Sequence, residues 1–170
     1  LRISIFVRSY SRYDANAMCD FLTKHIDVKS VIDPCAGWGE RMLACATHGV
    51  SYSGVDINDA LCVGYADMIE ELNLKNVSFE CAAAEDYVFD KADAVITCPP
   101  YGGIEVYSEN GAENLTLHDF RNWWISVVNN VSKSGCKYFC ITTNQAFKYI
   151  FSDAIVDAGF DLVASVSIGR

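Results

Sequence analysis

No apolar run in the 170-residue sequence is long enough to span a membrane, and the opening run, LRISIFV, is too short for a secretory signal before Arg8 interrupts it. A soluble, cytoplasmic protein is therefore predicted. No two cysteines have the CxxC spacing, and the three histidines lie far from any paired cysteines, so no metal site is predicted. The eight cysteines (19, 35, 45, 62, 81, 98, 136 and 140) are expected to be buried free thiols. Cys136 and Cys140 fall four apart in a strand-like run, which predicts one shared face and a separation too great to bridge. Basic residues are scarce as well. Thirteen Lys and Arg against 22 Asp and Glu leave a net charge of −9, which argues against a broad phosphate-gripping surface. Arg2, Arg8 and Arg12 lie in the first twelve residues without an acid, an arrangement that suits either a nucleic-acid contact or a solvated terminus.

No repeat or low-complexity tract breaks the chain, and 51% apolar residues suffice for one domain over residues 1–170. β-type runs recur at 30–33, 51–56, 77–81, 94–97, 138–142 and 161–168. Between them lie helical segments at 14–26, 40–48, about 58–72, 116–131 and 145–158. Met18, Leu22 and Ile26 form a stripe on the first helix. Asn58 or Asp59 and the Thr116/Asp119 pair supply N-terminal caps, and Gly49 and Gly159 supply stops. Alternation of this kind implies a mostly parallel, twisted sheet with helices on both faces. The sequence begins without methionine and ends just after the sixth predicted strand, so it is expected to be a fragment of a longer protein.

Only three prolines occur, and two of them are adjacent, in VITCPPYGG at 95–103. Neither has an N–H to give a ladder, so the strand must stop at Thr97, where ligands of open α/β sheets collect. The first predicted strand runs into a second special turn, VIDPCAGWGERM. Gly37 and Gly39 let backbone approach a ligand and aim amides at it from the start of a helix. A dinucleotide fingerprint would want a third small residue where Met42 stands, whereas Asp33 before a Gly-x-Gly turn suits a ligand carrying an ammonium group. Asp56 closes the next strand, placed to accept hydrogen bonds from the two hydroxyls of a ribose. Trp38, between the glycines, is expected to pack against the preceding helix. The stretch GGIEVYSENGAENL, 102–115, is long for a connection and reads as a binding loop in which Glu105 and Tyr107 line the entrance, or as a solvated one.

With DPCAGWG after one strand, GVDIN after the next and CPPY after the fourth, the chain resembles the class I S-adenosylmethionine-dependent methyltransferases. Within them it is most similar to the DNA methyltransferases that modify exocyclic amino groups, which carry Asp, Asn or Ser before Pro-Pro and an aromatic. The resemblance covers almost the whole chain and implies a Rossmann-like three-layer sandwich, its seventh strand expected beyond Arg170. It implies that Asp33, Cys35, Gly37 and Gly39 surround the methionine part of S-adenosylmethionine, that Asp56 holds the ribose, and that Ile57 packs on the adenine. Ala83 stands where an acid often receives the adenine amino group, leaving Glu85 or Asp86 to substitute. The helix at 14–26 would flank the methionine end.

The same resemblance makes Cys98, Pro99, Pro100 and Tyr101 the catalytic turn. A side chain at 98 and the Pro99 carbonyl would accept the two N–H groups of an amino nitrogen, and Tyr101 would stack on the base. Cys98 is a weaker acceptor than Asp, Asn or Ser and is read as a near-isostere of Ser. A covalent attack on a pyrimidine ring is disfavoured, because in that chemistry the cysteine follows a proline. The reading implied is a methyltransferase acting on adenine or cytosine in DNA. A methyltransferase of an RNA base or a protein glutamine amide, and a catalytically silent cofactor-binding module, are the alternatives.

Overall fold

The computed structural model describes residues 3–9, 14–103, 111–144 and 146–168. Its elements, in chain order, are β1 (Ile3–Ser9), α1 (Ala15–Ile26), β2 (Ser30–Asp33), α2 (Glu40–Thr47), β3 (Ser51–Asp56), α3 (Ala60–Glu71), β4 (Val77–Cys81), β5 (Ala94–Thr97), a 3-10 turn (Ala112–Asn114), α4 (Leu117–Ser132), β6 (Tyr138–Thr143), α5 (Lys148–Asp157) and β7 (Asp161–Ile168). All seven strands join one parallel sheet in the order β4-β3-β2-β5-β6-β1-β7.

The helix ends follow the predicted chemistry. The Asp14 carboxylate accepts from Ala17 N at 3.0 Å, and Asn58 Oδ1 from Ala60 N at 3.2 Å. Thr116 Oγ1 accepts from Asp119 N at 3.2 Å and donates to its carboxylate at 2.7 Å. Strand residues alternate between two cores. Ile32, Val55, Val95, Phe139 and Ile141 face α4 and α5 over Phe120, Trp124, Phe151 and Ile155. Val31, Ala94, Ile96 and Cys140 face Met18 and Leu22 of α1, Met42 and Cys45 of α2, and Tyr65 of α3. The layers are therefore helix, sheet, helix, as a parallel sheet requires.

The seventh strand comes from the N-terminal side of the chain. Ile3–Ser9, not counted among the predicted strands, pairs with β6 on one side (Ile3 opposite Tyr138) and with β7 on the other. Two cysteine expectations are corrected. Cys62 of α3 and Cys81 at the end of β4 form a disulfide, their Cα atoms 6.2 Å apart. The reason is spatial, since α3 packs directly over the edge strand β4, and sequence spacing carries no trace of it. Cys136 and Cys140 fall in opposite cores, because β6 begins only at Tyr138 and Cys136 precedes the regular alternation. Alkylation of the unreduced, denatured protein should accordingly label six cysteines, namely 19, 35, 45, 98, 136 and 140, with mass spectrometry reading the count. Eight labels would remove the bridge.

The connections determine where a ligand can sit. From β2 the chain moves outward through α2 and α3 to the β4 edge, whereas from β5 it moves the other way through α4 and α5. Neighbours β2 and β5 (Val31 opposite Ala94) thus mark the switch point, and the crevice beyond their carboxyl ends is the general ligand site of such sheets. No helix among the described residues is long and apolar enough to cross a membrane, and none of their side chains form a group of three metal-ligating residues.

Candidate active site

The turn after β2 is held from behind. Ala36 N donates to Val55 O at 2.9 Å, and the buried Tyr65 hydroxyl donates to Ala36 O at 3.1 Å. Gly37 and Gly39 have φ of 61° and 89°, values that favour glycine. The Gly37 amide donates to Asp56 Oδ2 at 2.8 Å, and Asn58 N donates to the other oxygen at 3.0 Å. Asp56 thereby couples the turn after β2 to the turn after β3. Its pKa is raised by burial, with the two backbone amides acting in the opposite sense.

A cavity of about 480 Å³ opens beyond β2 and β5. Cys35, Gly37, Asp56, Ile57 and Glu85 line it on one side and Cys98, Pro99, Pro100 and Tyr101 on the other. The structure thus brings together nine of the eleven residues singled out from sequence. Ile57 is 48% exposed, and Ala82 to Ala84 also line the cavity. The Tyr101 ring is backed by Phe147, with centroids 5.4 Å apart, and Gly102 sits tightly against Phe120, so the proline turn rests on the α4/α5 core. The Cys35 thiol is pushed well above its usual pKa, first by burial and then by the Asp56 and Asp33 carboxylates.

Two predicted ligand residues stand elsewhere. Asp33 is fully buried and not on the cavity wall; its carboxylate accepts Arg41 Nε at 2.5 Å, the Tyr52 hydroxyl at 3.0 Å and Cys35 N at 3.2 Å. An ammonium ligand there would compete with a guanidinium already in place. Gly39 faces α3, where an added Cβ would lie 2.8 Å from Met68 Cε, so it serves helix packing. Trp38 departs from the packing expectation. The two left-handed glycines turn it outward, and at 73% exposure it stands at the cavity wall. Glu85 lines the cavity and accepts Trp123 Nε1 at 3.1 Å, while Asp86 does not line it. No residue of α1 does either, and Glu105 and Tyr107 lie outside the described residues.

Sequence reasoning missed Arg41, Trp123 and Glu113. Arg41 is 7% exposed, lines the cavity, and its Nη2 also donates to the Cys35 carbonyl. The signal was a cation beside Met42 on the inward face of α2. Glu113, 3% exposed, sits in the stretch read as a loop.

No protein-family model matches the sequence, and no curated protein does. Solved structures match the fold. TrmN from Thermus thermophilus superposes with a TM-score of 0.61 over 82% of this chain and 41% of its own, at 14% identity. The Pyrococcus abyssi tRNA (uracil-54, C5)-methyltransferase in complex with S-adenosyl-L-homocysteine gives 0.57 over 90% and 34%, at 16% identity. This chain has the class I methyltransferase fold. A third structure with that fold, the O-methyltransferase of a trans-AT PKS multienzyme of Brevibacillus brevis with S-adenosyl-L-homocysteine, gives 0.51 over 71% and 36%, at 15% identity. The chain spans between 34% and 41% of the length of these three proteins.

The methyltransferase fold prompts a test of whether the residues present suit S-adenosylmethionine. A carboxylate at the end of β3, an exposed isoleucine and small alanines on the same cavity wall, and a turn with two left-handed glycines offer polar and apolar groups of the kind an adenosine needs. The donor set fits at that end. At the methionine end the Asp33 carboxylate is occupied, and Arg41 is the one basic side chain lining the cavity among the described residues.

Proposed function

We propose that the protein is an S-adenosylmethionine-dependent methyltransferase that modifies a planar amino nitrogen, the exocyclic amino group of adenine or cytosine in DNA. One observation carries this reading: the turns after β2 and β5 line a single cavity across the switch point of the sheet. The cofactor supplies a methyl group on a sulfonium, which becomes a neutral thioether on losing it. Asp56 holds the ribose hydroxyls, Ile57 and Ala82 to Ala84 close on the adenine, and Glu85 takes its amino group. Cys35 and Gly37 bound the methionine part, and Arg41 meets its carboxylate.

The remaining residues act on the acceptor. An amino nitrogen conjugated to a ring is a poor nucleophile until its N–H groups are drawn aside. Cys98 and the Pro99 carbonyl do so by accepting them, while the rigid Pro99–Pro100 turn fixes the approach. Tyr101, braced by Phe147, offers its face to the base.

Labelled methyl transfer to DNA should fall in Tyr101→Ala by roughly 5- to 150-fold, the equivalent of about 1–3 kcal/mol of lost stacking. DNA, RNA and cell-extract protein, assayed side by side with radiolabelled cofactor, decide among the readings. Transfer to RNA or protein alone would replace the DNA assignment. A protein amide is favoured by the wall charge, since Glu40, Asp56, Glu85 and Glu113 offer a phosphate nothing and Arg41, the one basic residue of the wall among the described residues, is assigned to the cofactor. Cofactor binding without transfer to any polymer would leave a silent binding module.

A further inference from the structure

The turn that carries Glu85 is held by one helix. Trp123 of α4 donates its indole N–H to Glu85 Oε2 at 3.1 Å, and both residues line the cavity. Two turns further along α4, the side-chain amide of Asn130 donates to Ala84 O at 2.8 Å and to Tyr87 O at 2.6 Å, gripping the backbone on either side of Glu85. A spacing of seven puts Trp123 and Asn130 on the same face of the helix. The turn is also closed on itself, since Asp86 N and Tyr87 N both donate to Ala83 O at 3.1 Å. Trp123 in turn is fixed against the aromatic core, its ring centroid 5.4 Å from that of Phe120 and 6.0 Å from that of Trp124.

A glutamate side chain has several rotatable bonds, and one that turns freely must give up that freedom when it meets a ligand. Here the indole bond and the two Asn130 bonds remove it beforehand, which raises the affinity of whatever the carboxylate then meets. The indole occupies Oε2, and a carboxylate has a second oxygen to offer. We infer that Trp123 is a positioning residue, which through its N–H aims the Glu85 carboxylate at the amino group of the cofactor's adenine and so makes the site select a purine bearing that group. This rests on the methyltransferase reading above, which gives the adenine amino group to Glu85, and adds the residue that gives the contact its direction.

Dissociation constants of S-adenosyl-L-homocysteine and of its deamino analogue, in which hydrogen replaces the amino group of the purine, would be measured by calorimetry on the whole chain. The proteins compared are wild type, Trp123→Phe, Glu85→Ala and the double variant. Phenylalanine keeps a ring against the core and removes only the N–H donor. Wild type should prefer S-adenosyl-L-homocysteine by roughly tenfold or more, the scale of one hydrogen bond to a charged acceptor. Trp123→Phe should cut that preference to about threefold or less while binding the analogue within about twofold of wild type. Glu85→Ala should abolish the preference, and the double variant should match it, because without the carboxylate the indole has nothing to aim. A preference that survives in full in Trp123→Phe overturns the assignment and leaves the methyltransferase reading standing. An equal loss of affinity for both ligands in that variant also overturns it, making the indole a part of the wall. Wild type that binds both ligands alike overturns it too, together with the adenine contact of Glu85. Failure of wild type to bind either ligand overturns the reading and the assignment together.

Discussion

Asp56→Ala should bind S-adenosyl-L-homocysteine roughly 30- to 1,000-fold more weakly than wild type, corresponding to about 2–4 kcal/mol for two lost hydrogen bonds to a charged acceptor. The range is wide because Asp56 does two things. On the proposed reading it offers oxygens to a ribose, and it holds the Gly37 and Asn58 amides at 2.8 and 3.0 Å, so its removal also loosens the turns after β2 and β3. Asp56→Asn separates these effects, keeping one oxygen for the Gly37 amide, and should lose less. The pH dependence follows from the same carboxylate. Burial raises its pKa, so affinity should begin to fall on acidification above the ordinary aspartate range of about 3.9. The effect on folding has the opposite sign. A carboxyl group whose pKa is higher folded than unfolded stabilises the fold most at low pH, and that contribution is lost as pH rises through the folded value. Weaker binding in mild acid, with an unfolding midpoint that does not fall alongside it, would therefore be the mark of Asp56. Calorimetry showing wild-type affinity in Asp56→Ala would remove the ribose assignment.

The parts of the structure legible in the sequence are those set by local rules. The strands at 30–33, 51–56, 77–81, 94–97 and 161–168 have the predicted bounds, because each is a short β-type run and all but 77–81 have a glycine, proline or cap within two residues of their end. The position of Asp56 at the end of its strand was legible too, since a βαβ unit nearly fixes it, whereas its bond to the Gly37 amide was not. What sequence could not show depends on contacts between distant segments. Ile3–Ser9 is a strand because β6 and β7, at the far end of the chain, flank it. Cys62 and Cys81 meet because α3 lies over β4. Asp33 looked like a ligand residue because its partner, Arg41, approaches only once α2 has turned back over the loop. Glu113 was hidden for the same reason, since its burial depends on a 3-10 turn folding against the residues after CPPY.

Arg41→Ala should cost about 3–5 kcal/mol of stability, which is a large part of the 5–15 kcal/mol typical of a domain. Asp33 is fully buried, and the Arg41 side chain is 8% exposed, so truncating the guanidinium leaves a carboxylate in the core between the turn after β2 and the sheet. The Tyr52 hydroxyl at 3.0 Å and the Cys35 amide at 3.2 Å remain, but they are neutral donors and do not replace a charge. Urea unfolding followed by circular dichroism would read the loss. The double variant Asp33→Asn/Arg41→Met should recover much of it, because removing both charges leaves neither unpaired. Arg41→Lys tests geometry instead of charge. One ammonium cannot present the fork that meets Asp33 and the Cys35 carbonyl together, so this variant should fold better than Arg41→Ala yet still bind S-adenosyl-L-homocysteine more weakly than wild type. Equal unfolding free energies in wild type and Arg41→Ala would mean that water reaches Asp33, and the turn after β2 would then owe its shape to Tyr65 and the Asp56 carboxylate alone.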